Sequence, residues 1–318
     1  MLGDQQQAGK SQLVYQNAFQ WWFLKPAYWS SWLAVGFLFV LHLLPIQVAD
    51  KLAIVLGDLA RNINAKRRRI ARKNLQLCFP HYSEQQIKDS LKKHFRAQIR
   101  SVLHYGFFWW SSKKRLQKII EIDGQQYIEQ SRQAGRGIII MTGHSVGLEA
   151  AVSAITLKYP VSGPFKPMKN PLTNWLVAKG RTRFGTILYT RQAGLRPVIK
   201  DVRAGQVMFY LPDEDLGEKH CIFSDFFGVK KATISVLGRL SKNCKADVLP
   251  CVSCYDEAKR KYIVHLLPPL ENFPEGDDEA DTRTMNQALE KTIMLCPDQY
   301  FWTMKFFRTR PEGEDRVY

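Results

Sequence analysis

From Ala27 to Leu44 the chain reads AYWSSWLAVGFLFVLHLL, bounded by Pro26 and Pro45, and no charged residue stands between Lys25 and Asp50. As a helix rising about 1.5 Å per residue, this stretch is about 27 Å long, enough to cross the hydrocarbon core of a bilayer. Trp21, Trp22, Tyr28, Trp29 and Trp32 crowd its start, where amphipathic rings settle at the headgroup level. Ser30, Ser31 and His42 dilute the apolarity and keep an in-plane helix open beside a full span. The apolar stretch begins too late for an ordinary signal peptide, and no A-x-A-like cleavage site follows it. From Ile46 to about Trp110 apolar residues fall three and four apart, which predicts a helical subdomain; Ser83 and Gln86 have the spacing of a capping box.

The rhythm changes near Arg136. RGIIIMTG is a short β-branched run closed by glycine, and the amphipathic VGLEAAVSAITLKY follows it, so a strand leads into a helix. The alternation continues through VSGPFKP, the helix-like PLTNWLVAKGRTRFG, TILYT, GLRPVIKDVRAG and the strand QVMFYLP. A helix over about Ala232–Asn243, the strand-like ADVLPCVSCY and KYIVHLLP, and a helix over Asp281–Leu295 complete the pattern. This predicts an α/β fold: a mixed, largely parallel sheet flanked by helices, with an N-terminal membrane-anchoring helix and a helical subdomain. The expected division is residues 1–50 as membrane anchor, 51–110 as basic helical subdomain and 111–318 as one α/β domain.

Charge narrows the class of partner. Forty-six Lys and Arg against 29 Asp and Glu give a net charge of +17, which suits nucleic acid, anionic lipid or an acidic carrier protein. Lys51, Arg61 and Lys66-Arg67-Arg68-Arg69 follow the apolar stretch, and only Lys10 and Lys25 precede it; the positive-inside rule then places the body of the protein in the cytoplasm. Arg67, Arg68 and Arg69 sit in a helical run suited to phosphates, a carrier protein or an anionic membrane. No nucleic-acid module or stacking platform accompanies them, so nucleic acid is not expected as a partner. The six cysteines form no regular framework and are expected to be reduced, with Cys251 and Cys254 as small residues of a buried strand.

In open α/β sheets functional groups gather beyond the carboxyl ends of strands, and the IIIM strand ends in Thr142-Gly143-His144-Ser145-Val146-Gly147-Leu148-Glu149. Along a helix His144 and Glu149 would stand about 140° apart. They meet only if His144 lies on the turn before the helix, a bend that Gly143 and Gly147 permit. Glu149 would then accept from the imidazole and make His144 a competent general base. Alone, such a pair is as ordinary as any capping or surface residues. Ser145 lacks a G-x-S-x-G elbow, so no acyl-enzyme is expected. Asp213, Glu214 and Asp215 form an acidic turn after a strand, read as structural or as orienting a cationic neighbour rather than as a metal site.

The His144-x4-Glu149 pair after an apolar strand resembles the His-x4-acid motif of the glycerolipid and lipid A acyltransferases. More narrowly, nearly the whole chain is similar to the late lipid A acyltransferases, the lauroyl and myristoyl transferases. The resemblance rests on the N-terminal anchor, Asn74-Leu75-x2-Cys78-Phe79-Pro80, Arg181-x-Arg183, Gly205, Leu211-Pro212-Asp213-x-Asp215-x-Gly217, Phe226-Phe227-Gly228, Pro297-x-Gln299-Tyr300-x-Trp302 and Arg308-Thr309-Arg310-Pro311. Two positions depart from the family: Glu149 stands where Asp is usual, and Lys305-Phe306-Phe307 replaces a more basic stretch. The resemblance implies transfer of a lauroyl- or myristoyl-class chain from an acyl carrier protein thioester to a hydroxyl of a Kdo2-lipid A precursor, at the cytoplasmic face of the inner membrane, with no cofactor and no metal. It implies His144 as base and Glu149 as its orienting acid. Arg181, Arg183, Asp213 and Asp215 become candidates for substrate or oxyanion contacts, and Phe226 and Phe227 for the wall of an acyl groove. The alternatives are a glycerophosphate or lysophospholipid acyltransferase, a membrane-tethered nucleic-acid-binding protein, and an adaptor without catalysis.

Overall fold

The computed structural model describes residues 13–15, 18–219 and 221–318; Lys10 lies outside them. Two short 3-10 turns, Trp21–Leu24 and Pro26–Tyr28, lead into α1 (Trp29–Leu43), and Pro45 separates it from α2 (Ile46–Ile63). Then come α3 (Ala65–Cys78) and the long α4 (Glu84–Trp110). The expected capping box opens α4: Ser83 Oγ accepts from the Gln86 backbone while the Gln86 side chain accepts from Ser83 N–H. Among the described residues, Pro26–Leu43 is the single helical stretch long and apolar enough to cross a membrane, with mean hydropathy 1.3 and 11% of it buried. Its last turns nevertheless lie on α4. A Cβ at Gly106 would come within 2.4 Å of the Leu38 carbonyl oxygen, so the missing side chain there is what lets the two backbones touch.

The remaining elements alternate as expected. They are α5 (Lys113–Ile119), β1 (Ile120–Asp123), α6 (Gln125–Gln133), β2 (Gly137–Thr142), α7 (Leu148–Thr156), β3 (Ser162–Pro164), α8 (Pro171–Thr182), β4 (Ile187–Tyr189), α9 (Arg196–Arg203) and β5 (Val207–Tyr210). After them come β6 (Cys221–Phe226), β7 (Val229–Ile234), α10 (Leu237–Cys244), β8 (Ala246–Asp256), β9 (Lys261–Leu266) and α11 (Asp278–Leu295). The main sheet has the order β1-β9-β8-β2-β5, parallel throughout except for the β8–β9 hairpin. Every residue of β2 is buried, which is why its sequence is a continuous apolar run instead of an alternating one. The helix expected over 232–243 starts later, at Leu237, because 229–234 pairs with 221–226 as a second hairpin. Phe227 (φ 51°) and Gly228 (φ 74°) supply the two left-handed residues of its tight turn.

Beyond α11 the chain folds back beneath the helices. Tyr300, Trp302, Phe306 and Phe307 are buried against Ala71, Leu75 and Phe79, and against Ile87, Leu91 and Phe95 of α4. Asn74 ties the two parts, its amide donating to the carbonyls of Trp302 and Met304, each at 2.7 Å. The helical region and the last segment of the chain therefore share one core. The same return brings Cys296 to the end of β8, where it forms a disulfide with Cys254. The expectation that all six cysteines are reduced is corrected at these two positions: partners 42 residues apart meet through tertiary folding that spacing does not reveal. Cys251 is buried in β8 as expected.

Candidate active site

β2 ends at Thr142, and Gly143–Val146 form a turn before α7. The turn is pinned from below by the returning segment: Val146 N–H donates to the Gln299 carbonyl at 2.9 Å, and Phe301 N–H donates to the His144 carbonyl at 2.9 Å. Space explains the glycines. A Cβ on Gly143 would stand 2.8 Å from the Tyr300 ring, and one on Gly147 would stand 2.2 Å from the Ser253 carbonyl oxygen; neither glycine is left-handed.

His144 lies on that turn, with its Nδ1 2.6 Å from Asp213 Oδ1. Its backbone N–H donates to the other carboxylate oxygen at 2.6 Å, and Tyr300 Oη donates to that same oxygen at 2.7 Å. A carboxylate only accepts, so Nδ1 carries the proton and Nε2 the lone pair. Asp213 is wholly buried. Burial works to raise its pKa, but the charge and hydrogen bonds of His144 and the Tyr300 hydroxyl hold it below the ordinary carboxylate range. For His144 burial works downward, and the charge and hydrogen bond of Asp213 more than reverse it, leaving the imidazole above its ordinary value.

Glu149 takes a different partner from the one expected. It stands in the first turn of α7, 8% exposed, and accepts from Arg181 of α8, whose Nε is 3.0 Å away and whose Nη2 also bonds it. His144 is indeed on the turn before the helix, but its ring faces the segment leaving β5, where Asp213 meets it, while Glu149 reaches across to α8. Sequence reasoning missed this pairing, although a signal for it existed. β2 and β5 are adjacent parallel strands with Met141 opposite Tyr210, so the residues just past their carboxyl ends converge.

The other candidates disperse. Arg183 donates to the Phe108 and Ser111 carbonyls at 2.9 and 2.5 Å, satisfying the end of α4. Asp215 accepts from Thr309 N–H and Oγ1, both at 2.7 Å. Phe226, buried, and Phe227, half-buried, pack against Tyr300, Phe307, Phe79 and Trp302. Arg67 donates to the Thr303 carbonyl at 3.0 Å and Arg68 to that of Asn62 at 3.0 Å, while Arg69 is exposed. An apolar crevice of about 120 Å³ opens instead between α7 and the β3–β5 strands, lined by Leu148, Val152, Leu188, Phe209 and Leu211 together with Arg181.

A histidine whose Nδ1 meets a buried carboxylate, on the turn beyond the carboxyl ends of parallel strands, has the geometry of a general base in an α/β enzyme. Over residues 16–309 the chain matches the model of the bacterial lipid A biosynthesis acyltransferases, and it belongs to that family. It is 37% identical over 302 residues to a lipid A biosynthesis acyltransferase of Haemophilus influenzae, covering 95% of this chain and 94% of that protein. To the lipid A biosynthesis lauroyltransferase of Escherichia coli it is 33% identical, with 91% and 95% covered. To the myristoyltransferase of the same organism it is 30% identical, with 97% and 96% covered. The protein is thus an acyltransferase of lipid A biosynthesis.

Proposed function

We propose that the protein transfers a fatty acyl chain from an acyl carrier protein thioester to a hydroxyl of a Kdo2-lipid A precursor, with His144 as the general base. The observation that carries this reading is the 2.6 Å contact between His144 Nδ1 and the buried Asp213, which leaves Nε2 as the basic nitrogen. Nε2 takes the proton of the acceptor hydroxyl as its oxygen attacks the thioester carbonyl. The C–S bond then breaks, and the imidazolium returns the proton to the departing thiolate. Asp213 supports the positive charge on the ring during the step. Glu149 holds Arg181 beside the crevice, so that the guanidinium meets the developing oxyanion while the first methylenes of the chain enter between α7 and β5.

The apolar helix and its flanking cations support a place at the cytoplasmic face of the inner membrane, where a lipid acceptor and a soluble carrier protein both reach the site. The test is transfer of labelled acyl chains from acyl carrier protein to purified tetra- and penta-acylated precursors in detergent. A heavier product from the wild type that disappears with His144→Ala is expected. Turnover of lysophospholipid with neither precursor acylated would overturn the acceptor assignment.

A further inference from the structure

Residues 305–318 build a basic cradle that the chemistry at His144 does not use. Lys305, Arg308, Arg310 and Arg316 line a cavity of about 460 Å³, shared with Glu218 and Glu314. Arg310 is fixed, its side chain 10% exposed, donating to the Lys230 carbonyl and paired with Glu314. Arg308 donates to the Asp215 carbonyl at 3.3 Å and keeps 56% of its side chain open to solvent. Lys305 lies over the Tyr318 ring, 5.4 Å from its centre. That ring is itself anchored, its hydroxyl bonded to Asn74 and accepting from Phe307 N–H at 3.3 Å. Among the described residues Lys305 and Arg316 have no carboxylate partner.

Glu314 serves Arg310 and the Asp215 carboxylate lies 4.0 Å from Arg308, so the four cations exceed the carboxylates Asp215, Glu218 and Glu314 by one and the cavity keeps an uncompensated positive charge. Guanidinium forks beside an ammonium match the several oxygens of a phosphate. The cradle is also wired to the base: Thr309 binds Asp215 through two 2.7 Å contacts, and Asp215 stands two residues from Asp213, a span of at most about 7 Å. One acidic turn thus holds both the catalytic imidazole and the wall of the cradle.

We infer that this cradle binds a phosphate monoester of the lipid acceptor and so sets which hydroxyl reaches His144; the inference rests on the acceptor reading above. Phospholipid headgroups offer similar chemistry, and the experiment separates the two. Full-length protein in detergent is assayed with the phosphorylated precursor and with the same precursor after enzymatic dephosphorylation. The wild type is expected to prefer the phosphorylated acceptor about tenfold in KM, the effect of one charge-assisted contact, with kcat little changed. In Arg316→Gln and Arg308→Gln that preference collapses, and inorganic phosphate, a competitive inhibitor of the wild type, inhibits them less. Variants that keep the preference, or that lose instead only their binding to vesicles of anionic phospholipid, overturn the inference. Should the wild type transfer nothing, the proposed function fails separately. Equilibrium binding of the two precursor forms then still reads the cradle, and equal binding by wild type and Arg316→Gln overturns it.

Discussion

Asp213 is asked to do more than any other side chain here, with three donors converging on one buried carboxylate. Asp213→Asn keeps the shape but removes the charge that stabilises the imidazolium, and an amide facing Nδ1 favours the wrong tautomer. Transfer is expected to fall about 10²- to 10⁴-fold. The pH profile of kcat/KM gives an independent reading. As the proposed base His144 works only when neutral, and Asp213 raises its pKa, so wild-type activity is expected to be lost as pH falls through a value above the ordinary ~6.5. The residual activity of Asp213→Asn should carry that limb at lower pH. Tyr300→Phe removes one donor from the carboxylate while keeping the ring, which concentrates negative charge on the imidazole side; the limb should move to higher pH, and a limb that does not move would separate Tyr300 from the relay. Glu149→Gln leaves Arg181 without its anion inside the fold and is expected to lower kcat by about one to two orders of magnitude and the melting temperature with it, checked by single-turnover transfer and thermal unfolding.

At the scale of elements, the periodicities carried most of the fold. Strand β2, helix α7 and the capping box of α4 were legible because each is written in local order: a β-branched run, a 3.6-residue stripe, a serine three residues from a glutamine. His144 was legible as a candidate for the same reason, since it follows the most apolar strand. The partner of His144 was not, because Asp213 stands 69 residues away and becomes a neighbour only when β2 pairs with β5. Nor was the Phe227–Gly228 hairpin, where a residue that rarely adopts positive φ occupies the first turn position. The contact between α1 and α4 is testable at Gly106. Gly106→Val puts side-chain atoms into the Leu38 backbone and is expected to destabilise the detergent-solubilised protein by about 1–3 kcal/mol, measured by denaturant unfolding; an unchanged midpoint would mean that α1 does not rest there.

For the molecule as a whole, the decisive fact is that its parts are not consecutive. The region expected to be a separate basic subdomain shares its core with Trp302 and Phe306, and the Asn74 motif proves to be the clasp between them. Some of the basic charge is consumed there, Arg67 and Arg68 binding carbonyls, which composition does not distinguish from charge offered to a partner. Trp302→Ala should lower stability by about 3–5 kcal/mol and loosen the base together with the core, so activity and unfolding should decline in parallel. The segment from Gln299 to Thr309 also ties the site to the order of folding. It supplies the contacts under His144, the hydroxyl on Asp213 and the clamp on Asp215. The imidazole is therefore positioned only once contacts distant in sequence have closed, and such contacts form after local helices because loop closure must precede them.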